Sequence, residues 1–435
     1  MGGPAGVRAV VRAGGPLRGA TRVPGDKSIS HRALIVSGLA AGRSEIDGLS
    51  TGDDVRRTAE ALRACGVGME APEGSAGRVV VTGRALELLE PERPLDVGNS
   101  GTAIRLLSGV AASQDALTVL VGDESVHRRP MERVVGPLRE MGARIDGREG
   151  GRFAPIVVRG GGLHGIDYSP PVASAQVKAA VLLAGLRAEG ETTVRERVAT
   201  RRHTEEVLAL AGRAPWVEHG PGGYAVRITP GPLEPFEMRV PGDPSQAAFL
   251  VVAAVLVPGS EVVVENVYVG PGRAGFLSVL ERMGADVTVV PTGPTTADVV
   301  ARHGPLVGTE VRGAEVPDCI DEIPVLAVAA AFAEGTTVFA DAAELRVKES
   351  DRIATTSAEL ARMGVSVEPA LDGLVVHGGR PRPASRASAY GDHRVAMALA
   401  VATLAAGGGA TSEIEGFGSV STSWPGFLDT IEALR

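Results

Sequence analysis

Aromatic residues are scarce in this chain, in which Phe, Trp and Tyr together make up 3% of 435 residues. Proteins that bind single-stranded nucleic acid stack the bases on aromatic side chains, and nucleic-acid-binding surfaces are generally basic. This chain instead has a formal net charge of −8. Both observations argue against nucleic acid as a partner. The scarcity also means that the hydrophobic cores must be built from Ala, Val and Leu.

Cysteine is nearly absent, since Cys65 and Cys319 are the two cysteines and lie far apart in the sequence. There is no CxxC pair and no His/Cys spacing of the kind that holds structural zinc. Two isolated thiols are typical of a protein from a reducing compartment, so we expect a cytoplasmic protein in which both thiols are buried and inert. Nothing in the sequence requires a metal or an organic cofactor, and we expect none.

Long hydrophobic runs are missing as well. The longest covers residues 395–406, whereas a helix that crosses a bilayer needs about 20 apolar residues. The sequence therefore predicts no membrane-spanning segment and no membrane partner. Residues 7–11 alternate weakly like a strand, and the first 25 residues contain no serine. We interpret this region as a first β-strand of the mature chain rather than a targeting segment.

Repetition is the feature that the chain does have. The string Val-Pro-Gly-Asp occurs at residues 23–26 and again at 240–243, half a chain length apart. A second pattern, a helix that ends in Gly before a strand, recurs every 70 to 80 residues. Its members are Gly66, Gly142, Gly212, Gly284 and Gly364. Such repeats are longer than those of solenoids, so we predict six small βαβ-type units in two halves.

The stretch Arg22–Arg32, which reads RVPGDKSISHR, combines a strand breaker with the start of a helix. Asp26 is suited to cap that helix after the Pro-Gly pair ends the strand. The N-terminus of a helix attracts anions, and Lys27 and Arg32 add positive charge to it. The residues alone fit a solvated helix start and an anion-binding site equally well.

The same stretch resembles the N-terminal signature of the 5-enolpyruvylshikimate-3-phosphate synthase family, the enolpyruvyl transferases of the shikimate pathway. The resemblance extends to about Pro425, and the string RVKESDR matches the family almost letter for letter. The further strings that resemble the family are Asp96–Arg105, Arg128–Pro130, Ser174–Gln176, Thr200–Thr204 and Tyr390–Met397. They follow the family order, with RVKESDR at Arg346–Arg352 between the last two.

The resemblance implies an α/β (α+β) fold, a two-domain inside-out α/β barrel. Each domain has three βαβαββ repeats, with the helices inside and the sheets outside. The chain starts in one domain, crosses to the second and returns, and the two Val-Pro-Gly-Asp strings lie where the crossings are expected. We therefore predict one domain from residues 1–22 with 239–435 and a second from 23–238, with hinges near 22–24 and 239–241.

The implied reaction transfers the enolpyruvyl group of phosphoenolpyruvate to the 5-hydroxyl of shikimate 3-phosphate and releases phosphate. Both substrates are small polyanions, which explains why an acidic chain concentrates Lys and Arg in its motifs. These small molecules are the expected partners, and we expect the enzyme to be a monomer.

Site residues follow from the resemblance, position by position. The catalytic candidates are Asp321, Glu349 and Lys27. We expect Asp321 to take the hydroxyl proton and Glu349 or Lys27 to protonate the methylene carbon, and the sequence leaves this division open. The residues implied for shikimate 3-phosphate are Lys27, Ser28, Arg32, Ser174, Ala175, Gln176, Arg201, Asp321 and Lys348. Those implied for phosphoenolpyruvate are Lys27, Asn99, Gly101, Arg129, Gln176, Arg352, His393 and Arg394.

The chain departs from the family pattern at four positions. Ser100 replaces a common Ala, and Leu106 stands where many members have Pro. Arg202 replaces an Asp beside Arg201. Thr422 stands where some members have a C-terminal Lys that contacts phosphoenolpyruvate. The last change predicts that this contact is absent here or supplied by another residue.

Two alternative functions stay open. The related UDP-N-acetylglucosamine enolpyruvyl transferases have a reactive Cys in the loop where this chain has Ser125–Arg128, and they lack the DKSxSHR string. A non-catalytic anion-binding protein on the same fold would tolerate the loss of Asp321 and Glu349. Both carboxylates are present here beside intact anion-binding strings.

Overall fold

The computed structural model describes residues 7–71, 77–220, 223–382 and 384–435. The chain divides into two compact units. Unit 1 consists of Met1–Pro24 and Pro241–Arg435, and unit 2 consists of Gly25–Val240. Unit 2 is therefore a continuous segment, whereas unit 1 is assembled from two segments.

Helices and strands alternate along the chain. Unit 1 begins with the strands β1 (Arg8–Arg12) and β2 (Arg18–Thr21). The elements of unit 2 follow in the order α1 (Lys27–Leu39), β3 (Arg43–Asp47), α2 (Asp53–Ala64), β4 (Gly68–Glu70), β5 (Val79–Thr82), β6 (Leu95–Asp96), α3 (Gly101–Ser113), β7 (Leu117–Val121), α4 (Glu124–Arg128), α5 (Glu132–Glu140), β8 (Arg144–Arg148), β9 (Phe153–Arg159), β10 (Asp167–Tyr168), α6 (Ala175–Gly185), β11 (Thr192–Glu196), α7 (His203–Leu210), β12 (Trp216–Gly220), β13 (Gly223–Ile228) and β14 (Glu237–Arg239).

The chain then returns to unit 1. Its remaining elements are α8 (Pro244–Leu256), β15 (Glu261–Tyr268), α9 (Gly275–Arg282), β16 (Asp286–Pro291), β17 (Thr296–Arg302), β18 (Glu310–Val311), α10 (Val316–Cys319), α11 (Ile323–Phe332), β19 (Thr336–Phe339), α12 (Arg352–Arg362), β20 (Ser366–Pro369), β21 (Leu374–His377), β22 (Arg386–Ser388), α13 (His393–Ala405), β23 (Thr411–Glu415) and α14 (Phe427–Ala433). Short 3₁₀ helices lie at Gly313–Glu315, Ala343–Val347 and Phe417–Thr422.

One strand order is repeated from sheet to sheet. The sheets of unit 2 have the orders β14-β3-β5-β4, β6-β7-β9-β8 and β10-β11-β13-β12, and two sheets of unit 1 have the orders β16-β17-β15-β2 and β18-β19-β21-β20. In each, one edge strand pairs in parallel and the other pairings are antiparallel. The repeated units that the glycine spacing predicted are therefore present.

The sixth sheet has three strands, and its edge strand β1 comes from the N-terminal part of the chain. Its order is β1-β23-β22, with β22 parallel and β1 antiparallel to β23. In this register Val10 lies opposite Glu413. The N-terminal strand thus pairs with a strand formed by the last quarter of the chain.

The core of unit 1 is built around α8, α11 and α13. Almost every residue of these helices is buried, and most are Ala, Val or Leu, as the composition predicted. Three of the few aromatic residues, Phe249, Trp424 and Phe427, pack edge to face in this core, with ring centroids 5.2 and 6.2 Å apart. Edge-to-face packing of this kind stabilises a core beyond the area that the rings bury.

The predicted helix-ending glycines are confirmed. Backbone φ angles between 71° and 109° are found at Gly66, Gly142, Gly212, Gly284 and Gly364. Residues with a Cβ seldom adopt this left-handed conformation, so Gly is suited to ending the helix there. Among the helices of the described ranges, none combines the length and the hydropathy that a membrane span requires.

Candidate functional site

The first cluster of predicted residues lies at the start of α1 in unit 2. Asp26 caps the helix, since its Oδ1 accepts a hydrogen bond from the Ile29 amide at 2.8 Å. The Lys27 ammonium lies 2.9 Å from Oδ2 of Asp54, whose side chain is 5% exposed. A buried carboxylate thus holds the side chain of Lys27 in one place while the cation stays partly exposed.

His31 lies one turn further along α1 and is fully buried. Its Nδ1 is 2.7 Å from the hydroxyl of Thr58. Burial, followed by the positive charges of Lys27 and Arg32, lowers the pKa of His31 well below its usual value. The ring is therefore neutral at pH 7, and the positive charge of this helix start resides on Lys27 and Arg32.

Arg32 connects three helices of unit 2. Its Nε donates to the hydroxyl of Thr204 at 2.6 Å, and Nη1 donates to the carbonyl of Ser28 at 2.8 Å. Nη2 lies 3.4 Å from the carbonyl of Ala175. The structure therefore brings together predicted residues from the start of α1 and the start of α6.

Gly101, at the start of α3, lies directly against a guanidinium group. A Cβ at this position would lie 2.3 Å from Nη1 of Arg129, so a larger residue here would displace that guanidinium from its present position. The capping residue Ser100 accepts a hydrogen bond from the Ala103 amide at 3.1 Å, and it thus supplies a side-chain cap that Ala would lack. Asn99 lies in the turn just before it and is half-buried.

Arg105 connects this turn to α6. Its Nη1 donates to Oε1 of Gln176 at 2.7 Å and to the carbonyl of Gly101 at 3.3 Å. Nη2 donates to the carbonyl of Pro130 at 3.3 Å, next to Arg129. Arg105 lies within the string Asp96–Arg105 but is not among the site residues that the resemblance implies. It links two predicted residues, Gly101 and Gln176, and the carbonyl next to a third, Arg129.

Two further predicted residues lie at helix starts of unit 2. Ser174 caps α6, and its hydroxyl accepts a hydrogen bond from the Val177 amide at 3.5 Å. Arg201 is half-buried in the loop between β11 and α7. The same loop carries Thr200 and Arg202, whose contacts are described below.

The second cluster lies in unit 1 around Arg352, the first residue of α12. Its side chain is 1% exposed. It lies 2.8 Å from Asp392, 2.7 Å from Glu349 and 3.3 Å from Asp321. Burial alone would lower the pKa of Arg352, but the three carboxylates outweigh it and raise the pKa. Burial would likewise raise the pKa of Asp392, and Arg352 outweighs it, so that this pKa is lowered. Both groups are therefore charged.

Asp321 is the centre of this cluster. Its Oδ1 lies 3.3 Å from both the Lys348 ammonium and Nη1 of Arg352. Nη1 of Arg394 donates to the backbone carbonyl of Asp321 at 3.0 Å. The carboxylates of Asp321 and Glu349 remain 15% and 16% exposed. Two cations thus stabilise a carboxylate that small molecules can still reach.

The start of α13 completes the cluster. Asp392 caps this helix, because its Oδ1 accepts a hydrogen bond from the Arg394 amide at 2.9 Å. His393 is buried at this helix start. Thr422 ends the 3₁₀ helix Phe417–Thr422 and is 5% exposed.

Glu322, the neighbour of Asp321 and not one of the predicted site residues, is buried behind the cluster. Its carboxylate accepts a hydrogen bond from the hydroxyl of Ser245 and lies 3.5 Å from Nη1 of Arg394. Arg273 lies 3.9 Å away and pairs with Asp243 at 2.6 Å. Burial raises the pKa of Glu322, against the effect of Arg273 and Arg394. This network fixes Arg394 from behind.

The two cysteines are both buried, as predicted. Burial raises the pKa of Cys65 to about 11 and also raises that of Cys319. Both are therefore protonated thiols at neutral pH and poor nucleophiles. Within the described part of the chain, no group of three or more His, Cys, Asp and Glu side chains is arranged to hold a metal ion.

The sequence profile described as EPSP synthase (3-phosphoshikimate 1-carboxyvinyltransferase) matches residues 11–431. A 3-phosphoshikimate 1-carboxyvinyltransferase from Synechocystis sp. is 47% identical over 422 residues, which is 95% of this chain and 93% of that protein. A protein of the same name from Pelotomaculum thermopropionicum is 48% identical over 420 residues, which is 95% of this chain and 96% of that protein.

Solved structures with a similar fold belong to the same group of enzymes. The structure of EPSP synthase from Acinetobacter baumannii superposes with a TM-score of 0.85 at 39% identity, over 98% of both chains. The enolpyruvyl transferase NikO from Streptomyces tendae, at 19% identity, has a TM-score of 0.77 over 99% of this chain and 98% of that chain. These similarities confirm the predicted two-domain inside-out α/β fold.

Proposed function

The chain belongs to the EPSP synthase family, and we propose that the two clusters described above supply the residues for its reaction. The enzyme is a 3-phosphoshikimate 1-carboxyvinyltransferase, a transferase of aromatic amino acid biosynthesis. It moves the enolpyruvyl group of phosphoenolpyruvate to the 5-hydroxyl of shikimate 3-phosphate and releases phosphate. The observation that most strongly supports the assignment of residues is the pairing of Asp321 with Lys348 and Arg352 at 3.3 Å.

We propose that cations and small polar groups bind the two polyanions. Guanidinium groups bind carboxylates and phosphates with two parallel hydrogen bonds, which suits Arg residues already held in place by neighbours. The proposed ligands of shikimate 3-phosphate are Lys27, Ser28, Arg32, Ser174, Ala175, Gln176, Arg201, Asp321 and Lys348. The proposed ligands of phosphoenolpyruvate are Lys27, Asn99, Gly101, Arg129, Gln176, Arg352, His393 and Arg394.

Asp321 is proposed as the base. The 5-hydroxyl oxygen attacks C2 of phosphoenolpyruvate while its proton moves to the carboxylate of Asp321. C3 takes a proton from Glu349 or Lys27, which gives a methyl group and a tetrahedral intermediate. Loss of phosphate from C2 and return of the C3 proton then restore the double bond. Lys348 and Arg352 hold the carboxylate of Asp321 in place for the first of these proton transfers.

Phosphate release tests the substrate assignment. The purified enzyme should release phosphate from phosphoenolpyruvate when shikimate 3-phosphate is present, and not when UDP-N-acetylglucosamine replaces it. The segment Ser125–Arg128 lies within α4 and offers no thiol for the reaction with UDP-N-acetylglucosamine. The reverse preference would overturn the assignment, and binding of both substrates without phosphate release would favour the non-catalytic alternative.

We also propose that units 1 and 2 are the two domains of the fold, with hinges near residues 22–24 and 239–241. The enzyme is proposed to act in the cytoplasm as a monomer without a nucleic-acid partner. The net charge of −8 supports the absence of a nucleic-acid partner, and the two buried thiols support a reducing compartment. Light scattering on the purified enzyme should give a mass near 44.6 kDa, and twice that mass would show a dimer.

A further inference from the structure

Lys178 is a fully buried cation of unit 2 that the reaction described above does not use. It lies in the second turn of α6, two residues beyond Gln176. Its ammonium lies 3.0 Å from Oε2 of Glu196 and 2.8 Å from Oε1 of Glu205. The side chains of Lys178 and Glu196 are both 0% exposed. A charge buried this deeply is retained in a fold only when it is paired and hydrogen-bonded.

Glu196 carries this ion pair to the loop that contains Arg201. One oxygen of its carboxylate accepts a hydrogen bond from the hydroxyl of Thr200 at 2.6 Å, and the other accepts one from the Thr200 amide at 3.2 Å. Glu196 is the last residue of β11, so the loop is anchored to the strand from which it leaves. Hydrogen bonds to a charged group are stronger than those between neutral groups.

The other side of the network accounts for Arg202, where the chain departs from the family pattern. The Arg202 guanidinium lies 5.1 Å from the ring centre of Tyr224, and Nη2 lies 2.9 Å from Nε2 of His219. The Tyr224 hydroxyl donates to Oε1 of Glu205 at 3.3 Å. Arg202 therefore brings a second positive charge to a site with two carboxylates and one ammonium, and it is held against Tyr224.

We propose that Lys178, Glu196 and Thr200 form a positioning network that fixes the loop at Arg201 and thereby sets the affinity for shikimate 3-phosphate. The three residues connect the start of α6, which carries Ser174 and Gln176, to the loop before α7. None of the three needs to touch the substrate. The inference rests on the proposed role of Arg201 as a ligand of shikimate 3-phosphate.

Thr200→Val is the test, because it removes the hydroxyl and keeps the shape of the side chain. We expect the Kd for shikimate 3-phosphate, measured by calorimetry without phosphoenolpyruvate, to rise about 10-fold, the effect of one lost hydrogen bond to a charged group. The KM for shikimate 3-phosphate should rise in parallel, while kcat and the KM for phosphoenolpyruvate stay within about 2-fold of the parent. Thr200→Ser should restore the parent affinity.

Thr192→Val is the matched control. Thr192 lies on the same strand and is fully buried, and its hydroxyl has no hydrogen-bond partner among the residues that the structure describes. This variant should bind shikimate 3-phosphate like the parent. The double variant Lys178→Met, Glu196→Gln removes the ion pair between these two residues and leaves the Glu205 carboxylate with the Tyr224 hydroxyl. It should raise the same Kd at least as much as Thr200→Val.

The results separate the two levels of the proposal. If the parent binds shikimate 3-phosphate and Thr200→Val binds it equally well, the positioning network is overturned while the proposed function stands. Equal losses in Thr200→Val and Thr200→Ser would also overturn it, because the hydroxyl would then be irrelevant. If the parent shows no binding, the proposed function itself fails. If the double variant does not fold, the two Thr200 variants decide the question.

Discussion

The two Val-Pro-Gly-Asp strings begin helices that share a cap and differ in almost everything after it. Asp26 accepts a hydrogen bond from the Ile29 amide, and Asp243 accepts one from the Ser245 amide, both at 2.8 Å. The helix that follows Asp26 presents Lys27 and Arg32. The equivalent positions after Asp243, 217 residues later, are Pro244 and Phe249.

The two helix starts differ in the charged side chains that surround them. At α8 the anion comes from within the protein, because the Glu322 carboxylate accepts a hydrogen bond from Ser245 and Arg273 pairs with Asp243. At α1 the charged group is Lys27, which remains 14% exposed. A repeated turn and cap therefore do not make a ligand site by themselves. We therefore expect the side chains that follow the cap, Lys27 and Arg32 in α1 and Pro244 and Phe249 in α8, to decide whether the helix start binds a ligand or packs in the core.

The largest expected effect comes from removing chemistry while leaving binding intact. Asp321→Asn should reduce turnover by roughly 10²-fold or more, the usual effect of losing a general base. The variant should still bind shikimate 3-phosphate, because the cations of α1 are unchanged. Phosphate release and calorimetry measure the two properties separately, and Glu349→Gln should behave likewise. Near-normal turnover in either variant would remove that carboxylate from the mechanism.

A smaller effect is expected from the helix starts themselves. Lys27→Met should lower kcat/KM by about 10- to 100-fold, the range for one lost hydrogen bond to a charged group. Ser245→Ala, at the equivalent end of α8, should leave the KM values unchanged and lower the melting temperature, because its hydroxyl serves the buried network around Glu322. Steady-state kinetics and thermal denaturation compare the two variants with the parent enzyme. A change of KM in Ser245→Ala would show that the start of α8 also binds a ligand.

The smallest effect concerns pH. The pKa of His31 is lowered in the folded state, so the unfolded chain binds a proton first as the pH falls below about 6.5. The stability that the neutral ring contributes is therefore lost as the pH falls from 6.5 toward the folded pKa, by at most about 1.4 kcal/mol per pH unit. In His31→Gln, the free energy of unfolding should fall less steeply as the pH is lowered from 6.5 to 5. An identical slope in urea titrations of both proteins would show that His31 is not the titrating group.

The sequence predicts the fold well for a physical reason. The turn chemistry of helix-ending glycines and of the Val-Pro-Gly-Asp strings is local, so it is visible in short stretches and repeats with the units. Caps such as Asp26 are predictable for the same reason. The packing of Ala-rich helices in the core follows from composition, because few other apolar residues are available.

The residues that support the site are less visible. Nothing close in sequence to Lys27 indicates that Asp54 holds it, and Ser245 meets Glu322 from 77 positions away. Lys27 and Asp54 lie on the neighbouring helices α1 and α2, and Ser245 and Glu322 lie at the starts of α8 and α11. Such pairs are fixed by the packing of helices that are distant in sequence. Gly101 shows the same limit, because nothing close to it in sequence indicates that the Arg129 guanidinium packs against it.

The pairing of β1 with β23 determines when the last sheet can form during synthesis of the chain. Arg8 lies opposite Glu415, so β1 has no partner in this sheet until about 400 further residues have been made. At 5–20 residues per second, that interval is about 20–80 s. Unit 2 is continuous and can fold during it, and β2 gains its partner once β15 has been synthesised. The sheet that contains β1 is therefore the last of the described sheets to close. Its edge is the surface that a chaperone would have to protect longest.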